Sequence, residues 1–308
     1  MPFGALASRT GLIGAWRAQS PVMRGVIMMC VSTAAFSVMH VTVRHVSAEL
    51  DPFQIVFFRN LFGLAALTPL LIGAGFAQMR TRRIGLHAFR GLINIGAMLM
   101  FFTAVSITPL AKVTALSFTA PVFTAILSVL ILGERFKLRR WGAIAAGFLG
   151  MLIVLRPGLA AVETGALLAL CAATLWAAAL IIIKILSRTE SSVAIVAWMG
   201  IFLSAFSLGP ALWVWRDPSL SAWCWLVFIG IFGSVAQVSL SQALKETDPT
   251  AVLPFDFLKL IWTAILAAWF FGEIPDRYTW IGAGVIFAAG LYIVRRERRA
   301  SRAEALES

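Results

Sequence analysis

In the stretch AVLPFDFLKLIWTAILAAWFFGE, residues 251–273, two charges stand inside an otherwise lipid-soluble run: Asp256 and Lys259. A charge near the bilayer centre costs about 3 kcal/mol on insertion scales, so such residues face a partner or a water-filled cavity. Their spacing of three puts both on one helix face. Lys259 could meet a substrate carboxylate or phosphate, and Asp256 a cationic group or a proton. The competing reading is a structural ion pair in which each charge compensates the other. Pro254 favours the first reading, because a missing backbone donor frees carbonyls to face a cavity. Trp262 follows Lys259 by three and shares its face, either to stack on a planar ligand or to pack against lipid.

A second group lies near the N-terminus. Ser37, His40 and Arg44 recur at i, i+3 and i+7, one stripe of a helix. Histidine is the natural proton relay near neutral pH, although a lone buried histidine can equally be a hydrogen-bonded packing residue. Arg59, after Gln54 and before Asn60, could snorkel to the interface or act as an outer gate or anion-binding residue. Asn94, Gln237, Ser241 and Gln242 are polar candidates of the kind that also bond helix to helix. Trp176 lies deep in a span like Trp262, whereas Trp213, Trp215, Trp223, Trp225 and Trp280 sit where an interfacial belt belongs. Glu134 and Glu273 close two spans and are read as ties to neighbouring loops.

The elements that must position these residues are membrane helices. Of 308 residues, 60% are hydrophobic and 13% charged, with mean hydropathy +0.89. Apolar runs near 20 residues recur from end to end, the length that crosses a bilayer core. Spans are predicted at 23–43, 53–74, 86–106, 111–132, 141–155, 164–184, 193–214, 223–244, 250–271 and 278–294. With span 9 starting near Thr250, Lys259 lies about 14 Å in, close to the midplane. The net charge of +12 would suit a nucleic-acid partner, but flanking basic residues orient a helical membrane protein, so no nucleic acid is expected. With the N-terminus in the cytosol, nineteen Lys and Arg fall on the cytosolic side and five opposite. That balance predicts both termini cytoplasmic. Residues 1–22 read as a cytosolic arm before a retained first helix, and 298–308 as a cytosolic tail. Cys30, Cys171 and Cys224 lie in apolar runs without CxxC spacing, so neither disulfide nor metal site is expected, and no cofactor.

The chain also repeats itself. Shifted by 139, Thr124–Leu127 (TAIL) falls on Thr263–Leu266, Gly133-Glu134 on Gly272-Glu273 and Trp141 on Trp280. Shifted by 140, Phe36 meets Trp176 and Arg44 meets Lys184. The expected fold is therefore an all-α integral membrane protein of ten transmembrane helices, built as two repeats over 23–158 and 159–297. Five spans per repeat invert the second copy relative to the first, which places a substrate site near the midplane between halves. Asp256 and Lys259 correspond to Ser117 and Ala120, so the charges belong to one half. Small residues in span 5 (Ala143, Gly147, Gly150) and span 10 (Gly282, Gly284, Ala288, Ala289) suit close packing or a homodimer surface.

Phe57-Phe58-Arg59 at span 2, Arg90-Gly91 opening span 3, Pro-Leu-Ala (109–111) entering span 4 and the Gly-Glu pairs closing spans 4 and 9 resemble the EamA domain of the drug/metabolite transporter superfamily, over about residues 23–297. The resemblance implies a carrier of a small metabolite. In texture the chain is similar to the group containing S-adenosylmethionine and riboflavin carriers, with amino-acid-like solutes a further class.

The expected activity is secondary active transport by alternating access across a bacterial inner membrane, coupled to a proton or substrate gradient. No Walker A sequence is present. The partners expected are the bilayer and a small-molecule substrate. Rival readings are a membrane enzyme acting on a lipid-linked substrate, a channel and an efflux pump of broad specificity. The short Arg-rich loops lack the His/Asp/Glu cluster that the enzyme would need, and no repeated polar ring favours a channel.

Overall fold

A computed structural model describes residues 19–74, 81–132, 138–155, 163–186, 192–246, 252 and 255–307. Every regular element among them is helical: α1 (Pro21–Val46), α2 (Pro52–Ala74), α3 (Ile84–Ile107), α4 (Leu110–Ser117), α5 (Ala120–Leu132), α6 (Leu138–Leu155), α7 (Thr164–Leu186), α8 (Ser192–Trp213), α9 (Leu220–Glu246), α10 (Leu258–Phe271) and α11 (Arg277–Glu307). The ends follow from local chemistry. Ser20 caps α1 by accepting from the Met23 amide at 3.2 Å, Pro21 opens its first turn, and Arg44 and His45 close it against the dipole. Gly272 ends α10 at φ 66°, a left-handed cap suited to glycine.

One expectation needs correction. Span 4 is not one helix: it breaks at Phe118-Thr119 between α4 and α5. Pro121 explains the break, since it has no N–H to offer Ser117 and suits the first turn of a new helix. Among the described residues, four helical stretches are long and apolar enough by length and composition to cross a membrane (Pro21–Val46, Ile84–Ile107, Thr164–Ile182 and Leu220–Leu240), and shorter apolar helices accompany them.

The packing runs between the halves. The pair α1·α9 is matched by α3·α7, α1·α10 by α7·α4 and α7·α5, and α9·α2 by α3·α8, while α2·α8 and α6·α11 pair the equivalent helices of the two halves directly. Named contacts give directions. Arg24 meets Glu246 and His45 meets Trp225, so α1 and α9 are antiparallel. Thr108 adjoins Gly165 and Leu175 adjoins Gly96, so α3 and α7 are antiparallel too. One hydrophobic core joins both halves, including Met39, Phe58, Phe102, Leu116, Leu226 and Leu260. With lipid outside, this contact holds the helices through close packing rather than water exclusion.

Small residues make the closest approach. A Cβ on Gly150 would stand 2.9 Å from both the Gly282 carbonyl and the Ile286 amide, and one on Gly147 2.5 Å from Val122. This part of the small-residue stripe therefore serves packing within the chain. Gly284 meets nothing within 4 Å, and Ala288 is exposed.

Candidate functional site

The site is built around two helix breaks. Phe118 lies in the break between α4 and α5, and Phe257 precedes α10. The two are 139 residues apart, the offset of the repeat. Their ring centroids are 5.8 Å apart, and Phe287 of α11 contacts both at 6.1 and 4.7 Å. Asp256 and Lys259 flank the second break. Asp256 stands just before α10, where a negative charge complements the N-terminal dipole.

Lys259 Nζ lies 3.7 Å from Asp256 Oδ2, with the side chains 18% and 29% exposed. The same ammonium sits 4.9 Å from the Phe118 ring centroid, in cation–π range. One break thus holds the charge and the other supplies the aromatic face beneath it. Ser37 donates to the Thr33 carbonyl at 2.9 Å and the Lys259 carbonyl at 3.0 Å, and accepts from Thr263 at 3.0 Å. Its hydroxyl is therefore a staple between α1 and α10, at the turn that carries Lys259.

His40 is 7% exposed, and its Nδ1 has no hydrogen-bond partner. Its ring lies 6.1 Å from Phe36 and 5.0 Å from Phe101, and Lys259 and Arg59 are both near enough for their charges to act on it. Arg59 does not snorkel out as a lone surface charge. Its Nη1 donates to Asn60 Oδ1 at 2.8 Å, and it lines a cavity of about 30 Å³ with Asn60, Ser234 and Gln237. Asn94 is buried with Oδ1 unpartnered, seven residues before Phe101 and so on the same face of α3. Trp176 and Trp262 keep 39% and 38% exposure, and neither pairs with another ring among the described residues. Pro254, Glu134, Gly133 and the Ser241 side chain lie outside what is described.

Arg44 belongs to a clamp farther along α1. Its Nη2 pairs with Glu273 at 2.9 Å, and its Nη1 donates to the carbonyls of Val105 and Thr108 at 2.8 and 2.9 Å. Glu273 also accepts from the Leu110 amide at 3.0 Å, satisfying an orphan donor at the start of α4. On the same side, Gln54 bonds the backbone of Arg216 and Glu49 accepts from Ser219. These ties surround a cleft of about 520 Å³ lined by residues 47–52 and 213–216. Ten residues of helix, about 15 Å, separate Ser37 from this mouth, so this cleft is not where the interior charges are.

The sequence reading missed several residues here. Phe118, Phe257 and Thr263 carry no charge that would set them apart in an apolar run. Arg90, counted with the cytosolic loop charges, is 4% exposed and donates to the Ile195 carbonyl at 3.2 Å and Met199 Sδ at 3.3 Å. Its nearness to Arg82 and Arg83 in sequence hid its inward position.

A bundle of paired half-chains with broken helices and interior charges defines a membrane transport protein of repeat type. The EamA-like transporter family model matches residues 23–156 and again 163–295. The chain belongs to this family, within the drug/metabolite transporters. It is 31% identical to an S-adenosylmethionine uptake transporter of Rickettsia bellii, over 89% of this chain and 93% of that one. It is 32% identical to a riboflavin transporter of Rhizobium johnstonii, over 90% and 93%. It is 28% identical to the pseudopaline exporter CntI of Pseudomonas aeruginosa, over 89% and 97%. A solved crystal structure aligns with TM-score 0.61 at 16% identity, over 90% of this chain and 98% of that one, a likeness of fold alone.

Proposed function

We propose that the chain is a secondary transporter of a small metabolite, working by alternating access around the Phe118/Phe257 breaks. The carrying observation is that both halves break at the same repeat position, and that Lys259 and Asp256 flank one break. Broken helices offer unpaired backbone groups to a substrate at mid-membrane without exposing them to lipid. On this reading ten spans cross a bacterial inner membrane with both termini cytoplasmic. The repeats span 23–158 and 159–297, the second inverted relative to the first, between an arm (1–22) and a tail (298–308). The antiparallel pairs α1·α9 and α3·α7, equivalent under the repeat, support the inversion.

Asp256 and Lys259 bind substrate directly, with His40, Asn94 and Gln237 lining the path and Trp176 and Trp262 stacking on a planar group. His40 is the candidate for proton coupling. Ser37 acts indirectly, by fixing the Lys259 turn, and Arg44 acts as a gate tie. The relatives' names favour S-adenosylmethionine, riboflavin or an amino-acid-like solute. The test is flux into proteoliposomes of radiolabelled S-adenosylmethionine, riboflavin and methionine, with and without a proton gradient. Saturable movement of one class supports the carrier reading and sets its direction and coupling. Folded, reconstituted protein that moves none of the three beyond empty vesicles would sink these substrate assignments.

A further inference from the structure

We infer that Arg59 and Asn60 form a recognition subsite for a carboxylate on the transported molecule. The inference deepens the carrier reading and rests on it, since it takes the interior of the bundle to be the substrate's path.

Arg59 carries a permanent positive charge inside the bundle, and among the described residues no carboxylate lies within ion-pair distance of it. One guanidinium nitrogen, Nη1, donates to Asn60 Oδ1 at 2.8 Å, while Nε is shielded from solvent and has no partner. That bond also orients the Asn60 amide. Its oxygen is taken by the guanidinium, so its NH2 must face the other way, and there Nδ2 too is buried without a partner. Asn60 itself is 4% exposed. Arg59 and Asn60 both line one cavity, and each holds a side-chain nitrogen donor without a partner.

Several other cations of the bundle have a carboxylate partner, while Arg90 bonds the Ile195 carbonyl and Met199 Sδ instead. Lys259 has Asp256, Arg44 has Glu273 and Arg24 has Glu246. A guanidinium held inside the bundle with no carboxylate in reach among the described residues is costly, and a ligand's negative charge would offset that cost. The place is built for Arg59: a Cβ on Gly233 of α9 would stand 3.0 Å from Arg59 Nε and 3.0 Å from Met39 Sδ. Glycine at 233 leaves the guanidinium its room.

Cavity size and donor geometry set the ligand class. About 30 Å³ accommodates a few atoms at most, since a single water needs roughly 10–15 Å³ by the same measure. A planar carboxylate suits two donors, because each oxygen can take one, and charge-assisted bonds of this kind are the strong ones. A tetrahedral phosphate is bulkier and asks for more donors. Ser234 donates its own hydroxyl proton to the Gly63 carbonyl at 3.0 Å and so adds an acceptor rather than a third donor. Among the solutes considered above, S-adenosylmethionine and amino acids bear a carboxylate and riboflavin does not, so the subsite favours the amino-acid-bearing class.

The test uses the full chain in detergent, with acetate as the minimal carboxylate. Thermal stability is measured against sodium acetate, sodium phosphate and sodium chloride at equal ionic strength, for the wild type and Arg59→Gln. A ligand bound by the folded state alone raises the melting temperature with its concentration. The expected result is a rise with acetate beyond chloride, absent in Arg59→Gln, and an unliganded Arg59→Gln protein at least as stable as wild type because an uncompensated charge has gone. Gly233→Ala should keep the fold and weaken the acetate response. Three results would overturn the inference: acetate acting no differently from chloride, an acetate response that survives in Arg59→Gln, or a lower melting temperature for unliganded Arg59→Gln, which would make Arg59 a structural cation. A response to phosphate with none to acetate would reject the carboxylate assignment. An acetate response without flux of any solute would count against the carrier reading and leave the subsite standing.

Discussion

Phe118 and Phe257 occupy the same position in the two repeats, each at an interruption of its helix, and their ring centroids lie 5.8 Å apart. Lys259 Nζ sits over the first ring at 4.9 Å while belonging to the turn after the second. The interior charge is therefore supported by both halves at once: its covalent anchor is in one and its aromatic face in the other. A motion that moves one half past the other must change that contact, which is what a carrier site between repeats requires.

Pro121 sets the first break, and its replacement tests whether the break matters for movement or only for shape. Alanine at 121 restores an N–H for the Ser117 carbonyl and removes a residue that costs a helix interior about 3 kcal/mol. We expect Pro121→Ala to fuse α4 and α5, raise the melting temperature and slow transport at least tenfold. Unchanged flux in a stabilised protein would mean the break is not part of the cycle.

Lys259→Met keeps the length of the side chain and removes its charge. On the substrate-site reading the protein remains abundant and folded in the membrane while saturable flux disappears, and Asp256→Asn lowers flux with the fold intact. Membrane yield and gel-filtration profile, read beside flux, separate the alternatives. Loss of folded protein in Lys259→Met would support a structural ion pair, and wild-type flux would remove Lys259 from the mechanism.

Much of this arrangement was legible in the chain because helical membrane proteins write their spans as apolar runs and their repeats as matching residues. Asp256 and Lys259 stood out because charge is rare in such runs. Other features could not be read in the same way. Pro121 sits in an unbroken apolar stretch, and proline in a membrane helix need not divide it, so the Phe118 break depended on how the halves pack. Ser37 was legible as part of a polar stripe, but its tie to α10 was not, because its acceptor there is a backbone carbonyl, which no sequence displays. Arg59 has its cavity only when α2, α8 and α9 come together. Arg90 follows a run of loop arginines and differs from them only in facing α8.

The Arg44–Glu273 pair joins α1, the start of α4 and the end of α10 through one carboxylate. Removing either charge leaves the other half-buried and unpaired, and hydrogen bonds to charged groups are worth roughly 1.5–3 kcal/mol each. Arg44→Met and Glu273→Gln should each lower the melting temperature clearly, and the double variant should lose much less than the two losses added, because both delete one interaction. Additive losses would show that the two residues act independently.

The contact between α6 and α11 gives a prediction of the opposite kind, in which adding atoms does the damage. At Gly150 a Cβ would press on the Gly282 carbonyl and the Ile286 amide, both at 2.9 Å, and these are backbone atoms with no rotamer to escape into. At Gly284, on the same helix as Gly282, a Cβ meets nothing within 4 Å. Gly150→Ala should therefore separate the helices and cost about 1–3 kcal/mol, the usual range for overpacking. Gly284→Ala should be neutral or stabilising, because alanine is the better helix former by nearly 1 kcal/mol. Melting temperatures of the two variants in the same detergent check both signs. Equal, small effects would mean that α6 and α11 are not held by close backbone approach.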